Sequence, residues 1–376
     1  MQNGVQLSVY IGAGPVVLPA PREVIESLVH AKVENGSGDT QSGFELTFEL
    51  PARSPLRTLF LVTGGGSIPL IRVVLVVTIN GRAESIVDGV TTNVEMQPGQ
   101  GGVARMVVKG KDMSALMDII DLPGIPFPAM PPSVRVLLIL AKYAVFGVIP
   151  LVIPSILDVP PLPIQQIPQQ RGSDFVYVKK LAREVGYVFY LEPGPVPGTS
   201  KAYWGPEIRV GTAQPALTSN MDAQTNVEDL SFNFDRERKT MPIVFFQESA
   251  SKAPIGLPIP DITPLNPPLG LVPPLPPKIK KLEETAHMPP AQALMAGIAY
   301  AGQNSDSVFG NGRLDIAKYG RLLKSRALVG VRGAGLPFDG LYYVKGVTHD
   351  IERGSYKQSF TLARNGLIST LPTVPT

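Results

Sequence analysis

The residues that could do acid–base or metal chemistry in this chain are few and scattered. Its only histidines are His30, His287 and His349. His30 falls in an alternating apolar stretch, His287 at the edge of a proline-rich region and His349 at the end of a strand-like run. None has a nearby partner at metal-ligand spacing, so each reads as a structural or exposed histidine. There is no cysteine. That excludes disulfides and thiol catalysis and removes the usual ligands of structural zinc. No G-x-S-x-G elbow, H-E-x-x-H pair or Walker loop occurs. Gly12-Ala13-Gly14-Pro15 and Gly64-Gly65-Gly66 are glycine-rich, but neither leads from a strand into a helix, so both read as turns. Glu228 and Asp229 are adjacent, and in a strand such neighbours face opposite ways, which denies them a shared site. Carboxylates distant in sequence could still assemble a glycosidase, and a cell-wall polysaccharide hydrolase is the enzyme alternative. Lys179–Lys180 and Lys278, Lys280 and Lys281 read as solvated faces. No catalytic, cofactor-binding or metal residue is assigned, and no cofactor is expected.

The composition points the same way. The formal net charge of +3 over 376 residues, without a clustered basic stripe, does not suggest a nucleic-acid binder. With 39 prolines and 37 glycines, helices cannot dominate, so strands, turns and extended connections must. The N-terminus has no basic stretch followed by an apolar core, so no signal peptide is visible. One segment, Val134 to Leu157, could pass for a membrane span, which leaves a membrane-associated β-protein as a further alternative. Pro150 and Pro154 break that segment, and the part before Pro150 is about 16 residues, short of the roughly 20 that a bilayer requires. Arg135 and Lys142 also share one helical face. The spacing predicts a mostly buried helix over 133–146 with an extended proline-rich exit, and no membrane insertion.

Those sparse groups must be positioned by a β-rich chain. Val5, Leu7, Val9 and Ile11 alternate with polar residues, as do Phe44, Leu46, Phe48 and Leu50. Further strands are expected over 23–33, 71–79, 85–90 and 103–109, with an Asn80-Gly81 hairpin and a short helix over 54–62. From Asp112 the pattern changes to α/β, with a helix over 112–120, the apolar helix, an extended 157–170 and a possible strand over 207–211. β-structure resumes at Asn226. Leu230, Phe232 and Phe234 alternate, Arg236 to Lys239 makes a charged turn, and Met241 to Gln247 is expected to pair back as a hairpin. Ten prolines between Pro254 and Pro277 make 253–281 an excursion that reads as a linker or surface insertion. A helix is expected over 290–303, a helix or strand entry over 319–327, and closing strands over 327–331, 341–350 and 356–363.

The most informative stretch is Gly172 to Glu192. Ser173 is placed to N-cap a helix, and Asp174 sits in the first turn, where an acid suits the dipole. Phe175, Val178, Leu181, Ala182 and Val185 form one apolar stripe, and Gly186 sits at a left-handed C-cap position before the aromatic strand begun by Tyr187. The run Gln169 to Phe175, then Leu181 to Tyr187, Phe189 and Tyr190, resembles a signature of the phage late control D proteins. That family includes the baseplate hubs of contractile tails and the N-terminal half of VgrG spikes. Gly172-Ser173-Asp174 stands where the family often has Glu-Ser-Asp. A second match, Leu341 to His349 with Tyr342, Tyr343 and Val347, then Gly354-Ser355-Tyr356 and Phe360-Thr361-Leu362, resembles the family's closing hairpin, with Ala327 to Gly333 before it. A weaker match is Val107 to Ser114, similar to the exit from the first barrel.

The resemblance implies a β-rich α+β fold in which two tube-like β-barrel domains flank a smaller α/β middle section. Its divisions would be an N-terminal barrel (1–112) and a middle section (113–225). A second barrel (226–366) would follow, interrupted by the proline-rich insertion (253–281) and a helical segment (290–326), with a tail (367–376). It implies a structural baseplate hub with no catalysis. A homotrimer would adapt a hexameric inner tube to a trimeric spike and contact inner tube protein, spike protein and other baseplate proteins. The chain would be cytoplasmic on synthesis and then incorporated in a phage-tail-like particle. The chain ends after the second barrel, so the spike is expected to be a separate protein. Ser173, Asp174, Phe175, Leu181, Gly186, Tyr187, Tyr342, Tyr343, Val347, His349 and Phe360 would have architectural roles only.

Overall fold

The computed structural model describes residues 4–38, 40–51, 71–98, 103–156, 158–160, 167–247, 253–260, 264–274, 278–283, 285 and 288–371. The expected helix over 54–62, the Gly64–Gly66 turn and His287 lie outside these residues.

The N-terminal part contributes β1 (Val5–Ala13), β2 (Leu18–Pro19), α1 (Arg22–Ser27), β3 (Leu28–Gly36), β4 (Gly43–Leu50), β5 (Ile71–Ile79), β6 (Arg82–Pro98) and β7 (Ala104–Asp112). The expected strand over 23–33 is corrected at its start. Residues 22–27 form α1 behind Pro21, and the strand begins only at Leu28. The Ser27 hydroxyl donates back to the Glu23 carbonyl at 2.8 Å, which closes that short helix. β5 is nearly continuous apolar sequence and is buried along almost its whole length, the signature of a strand covered on both faces. Asn80 and Gly81 both take positive φ, as a two-residue hairpin turn requires. At Gly110 a Cβ would lie 2.2 Å from the Phe44 ring, so only glycine lets β7 pass that ring.

The middle part holds a 3-10 turn (Met113–Asp118), β8 (Leu122–Pro126), α2 (Pro132–Ala141), a second 3-10 turn (Ala144–Phe146), β9 (Val148–Val152), β10 (Gln169–Gly172), α3 (Asp174–Glu184), β11 (Val188–Pro193) and β12 (Ser200–Gly205). The apolar helix is shorter than expected, and Gly147 in the left-handed region turns the chain into β9. The possible strand over 207–211 is not formed. β11, β12 and β9 make a three-stranded sheet in that order. Its core is Met117, Val136, Ile139, Val178, Leu181 and Trp204 with their neighbours. Arg135 and Lys142 both turn toward α3, donating to the Tyr177 hydroxyl at 2.8 Å and the Asp174 carboxylate at 3.1 Å.

The C-terminal part contains β13 (Gln214–Thr218), β14 (Val227–Phe234), β15 (Thr240–Gln247), β16 (Pro254–Pro258), β17 (Gly270–Val272), β18 (Lys278–Leu282), α4 (Pro290–Gln303), β19 (Val308–Asp315), α5 (Ile316–Tyr319), β20 (Leu328–Arg332), β21 (Gly340–Glu352), β22 (Ser355–Arg364) and β23 (Leu367–Ser369). The expected hairpin between β14 and β15 does not form. β14 pairs with β19, and β15 becomes the centre of a separate sheet between β16 and β18. The described residues of the proline-rich insertion therefore contribute strands, β16 and β18 at the two edges of that sheet, where proline is tolerated, and β17 paired with β23. Residues 322–327 form neither helix nor strand.

Among the described residues the main sheet has 13 strands and runs β14-β19-β22-β21-β3-β4-β7-β6-β5-β1-β2, with β20 and β13 branching from β21. The N- and C-terminal parts are thus one sheet, joined where β21 pairs antiparallel with β3 from Gly346–Gly36 to Glu352–His30. One apolar cluster runs beneath both halves, from Val9, Phe48 and Leu75 to Val331, Tyr342 and Phe360. Among the described residues the sheet does not close on itself. It ends at β14 on one side and at β1 with its two-residue partner β2 on the other.

Candidate functional site

The residues singled out from the sequence fall into two groups that are not brought together, and each group holds a joint. The first is α3. Ser173 accepts from the Val176 amide at 3.3 Å and donates to the Asp118 carboxylate, tying the helix start to the preceding 3-10 turn. Asp174 is buried and accepts from Gln170 Nε2 at 2.5 Å, Tyr143 at 2.8 Å and Lys142. Phe175 meets Phe189 at 6.1 Å between ring centroids, Leu181 is in the core, and Tyr187 packs edge-on against Trp204 at 5.0 Å. Gly186 has φ +73°, and a Cβ there would lie 2.9 Å from the Ala299 Cβ of α4. Its glycine serves both the helix cap and the close approach of α4 to α3.

The second group lies on the seam and the hairpin beside it. Tyr342 and Tyr343 are buried, with the Arg364 guanidinium 4.5 Å from the first ring and that of Arg209 4.9 Å from the second. Val347 and Phe360 enter the main core as a register pair. His349 is buried at the junction of β3, β21 and β22. Its Nδ1 lies 2.7 Å from the Tyr356 hydroxyl, and its Nε2 lies 3.3 Å from Asn35 Nδ2. Burial pushes its pKa down to about 3, so the ring is neutral in the folded protein at ordinary pH. The unfolded chain takes up a proton below about 6.5 while the folded one does not, so His349 stabilises above that pH and loses its contribution as pH falls toward 3. Stability should therefore drop by up to about 1.4 kcal/mol per pH unit in that window from this group. His349→Gln should flatten that part of a denaturation-against-pH curve. An unchanged slope would show that His349 does not set it.

Three polar junctions, the first two of them buried, are not visible in the sequence. Arg72, the second residue of apolar β5, lies on Asp88 through two bonds of 2.7 and 2.6 Å, and it also donates to the Gly198 carbonyl at 2.8 Å. Ser200 donates to the same Asp88 carboxylate at 3.0 Å, so the cluster joins the N-terminal sheet to the middle section. Arg209 and Lys345 both face Asp306, at 2.7 and 3.2 Å. Arg326 lies 3.9 Å over the Tyr190 ring and reaches the Thr40 carbonyl, touching the middle section and the N-terminal sheet from a C-terminal loop. A lone arginine in the run Ile71 to Ile79 was the one available signal. The others depend on contacts between distant parts of the chain.

His30 is likewise accounted for. Its Nε2 is 2.6 Å from Asp350, and Glu352 stands nearby, so their ligand atoms lie within 4.8 Å of one another. Arg313 holds the other Asp350 oxygen at 3.3 Å, which makes this an ion-pair ladder and a poor place for a cation. Glu228 is the extra residue of a bulge between Val227 and Asp229, and its carboxylate is engaged by Lys357 at 2.7 Å.

The fold as a whole is similar to that of phage tail proteins and of a component of a type VI secretion system. No family model matches the sequence, and no curated protein does. Among solved structures, the tail protein from Neisseria meningitidis MC58 is similar at a TM-score of 0.60 and 13% identity, over 96% of this chain and 98% of that one. The 43 kDa tail protein of prophage MuSo2 from Shewanella oneidensis is similar at 0.57 and 12%, over 97% and 100%. The Francisella PdpA–VgrG complex contains a similar chain at 0.57 and 10%, where 99% of this chain covers 60% of that one. The resemblance carried by the two motifs thus holds at the level of fold.

Proposed function

We propose that this protein is the structural hub of a baseplate, in a phage tail or a related contractile injection machine, and not an enzyme. The observation that carries this is the near end-to-end match to two tail proteins, with both chains covered almost completely. In this reading the chain acts as a homotrimer. Residues 1–112 and 226–366 supply two tube-like units around the middle section 113–225, and six such units meet a hexameric inner tube while the trimer meets a spike. The two open ends of the main sheet support it. β1 and β14 are strands of 9 and 8 residues that turn apolar side chains into one core and polar ones outward. Copies joined head to tail along such edges close a ring. The partners are then inner tube protein, spike protein and other baseplate proteins, and the chain works inside an assembled particle. No helix among the described residues is long and apolar enough to cross a membrane.

Mass measurement tests the reading. Native mass spectrometry of the purified chain should give a species at three times 40.3 kDa, and co-expressed tube protein should bind it. A chain that stays monomeric at every concentration and binds neither tube nor spike protein overturns it.

A further inference from the structure

One row of charges crosses the main sheet from one half to the other. Asp315, Lys357, Asp350, Lys32, Glu45 and Lys109 are successive register partners on β19, β22, β21, β3, β4 and β7, three acids alternating with three bases straight across the seam. The sequence neighbours Leu314, Tyr356, Ile351, Val33, Leu46 and Val108 all lie in the main core. Strand alternation therefore puts the whole row on the opposite face of the sheet. Further groups of opposite sign meet it. Lys357 lies 2.7 Å from Glu228, Arg313 and His30 flank Asp350, and Lys109 lies 3.0 Å from Glu95. Stability does not account for this regularity. The Lys357, Asp350, Lys32, Glu45 and Lys109 side chains are 32–44% exposed, and pairs so exposed contribute at most about 1 kcal/mol each.

Docking does not account for it either. Among the described residues, no large apolar side chain on β3, β4, β7, β14, β19, β21 or β22 is exposed, whereas α2, β9, β16 and β17 each expose two or more. A stable interface is built on buried apolar anchors or on a patch of one sign, and the row offers neither. Beside it the face carries Gly36, Gly346, Thr348, Ser359 and Thr361, so little projects from it. We propose that this face lines the channel of the hub, and that its alternating row lets an extended polypeptide pass without being held. The inference rests on the hub reading, in which the ring has an outer surface for other proteins and an inner one that meets only cargo. Neighbours in the row are one strand spacing apart, about 4.8 Å, which is shorter than the Debye length of roughly 8 Å. Their fields therefore cancel close to the wall. A polypeptide carries both signs, and a wall of one sign would hold some of its segments and repel others.

The absence of cysteine allows a direct test. In full-length trimers, Asn311→Cys and Thr348→Cys should each react readily with N-ethylmaleimide but about tenfold or more slowly with a large polyethylene-glycol maleimide, which a closed ring excludes. Lys180→Cys, on the exposed side of α3, should react with both reagents. The wild-type trimer should retain neither polylysine nor polyglutamate at low salt. Lys32→Glu, Lys109→Glu and Lys357→Glu together make the row wholly acidic and should raise retention of polylysine by about tenfold. Trimers in which both cysteine variants react equally with the two reagents place the face outside, which overturns the channel wall and leaves the hub reading standing. Retention of either peptide by the wild-type trimer, or no gain in the triple variant, overturns the sliding role, as does retention of oligothymidylate. A strictly monomeric wild-type chain overturns both readings.

Discussion

Replacing Arg72 with leucine should lower the unfolding free energy by about 3–5 kcal/mol, a large part of the 5–15 kcal/mol typical of a domain. Arg72 and Asp88 are almost wholly out of water, at 1% and 0% side-chain exposure, and the substitution leaves the carboxylate buried without its main partner. The Gly198 carbonyl loses its donor as well, so the joint between the N-terminal sheet and the middle section is weakened from both sides. The sign of the pH dependence is fixed. Burial pushes the Asp88 carboxyl above its usual range even with Arg72 and Ser200 opposing it, and without Arg72 it rises further. The folded variant then takes up a proton as pH falls, which relieves the penalty. Urea denaturation at pH 8 and pH 5 should show a smaller deficit at pH 5, and adding Asp88→Leu should recover most of the loss. A deficit under about 1 kcal/mol at pH 8 would mean that this bridge does not hold the joint.

Asp306→Ala should cost a similar amount, about 3–5 kcal/mol, because it strands two cations at once. Arg209 is 2% exposed, and Lys345, at 27%, approaches the opposite carboxylate oxygen. Burial alone would raise the Asp306 pKa, but Arg209 and Lys345 outweigh it and hold the carboxyl below its usual range. This stabilisation is present above the usual carboxylate pKa and is lost as pH falls below it. The loss caused by Asp306→Ala should therefore shrink in acid. Glu207, 3.8 Å from Arg209, offers only partial relief. Equal stability of wild type and variant at pH 7 would remove the cluster from any account of the fold.

Local signals in the sequence were reliable where the structure is local. The N-cap at Ser173, the stop at Gly186 and the helix over Pro290–Gln303 each follow from residues within a turn or two. The closing hairpin was legible because β21 and β22 are neighbours in sequence. Pairing partners were not. Alternation shows that β14 and β15 are strands, but nothing in either says that β14 turns to β19 while β15 leaves for a sheet of its own. The short α1 was missed because Val24 and Ile25 are β-branched and only Pro21 marks the helix start. The buried charges were the least visible, since Arg209 and Asp306 lie 97 positions apart.

The seam between β3 and β21 also bears on how the chain is made. His30 and Asp350, paired across it, are separated by 320 positions. A growing chain emerges N-terminus first, so β3 waits with one edge bare until nearly all the rest has been synthesised. Contacts of such long range carry a high loop-closure cost and form slowly. The last strands therefore act as the latch of the molecule. Loss of β21 leaves an N-terminal sheet that is fully translated yet open to pairing with any passing strand.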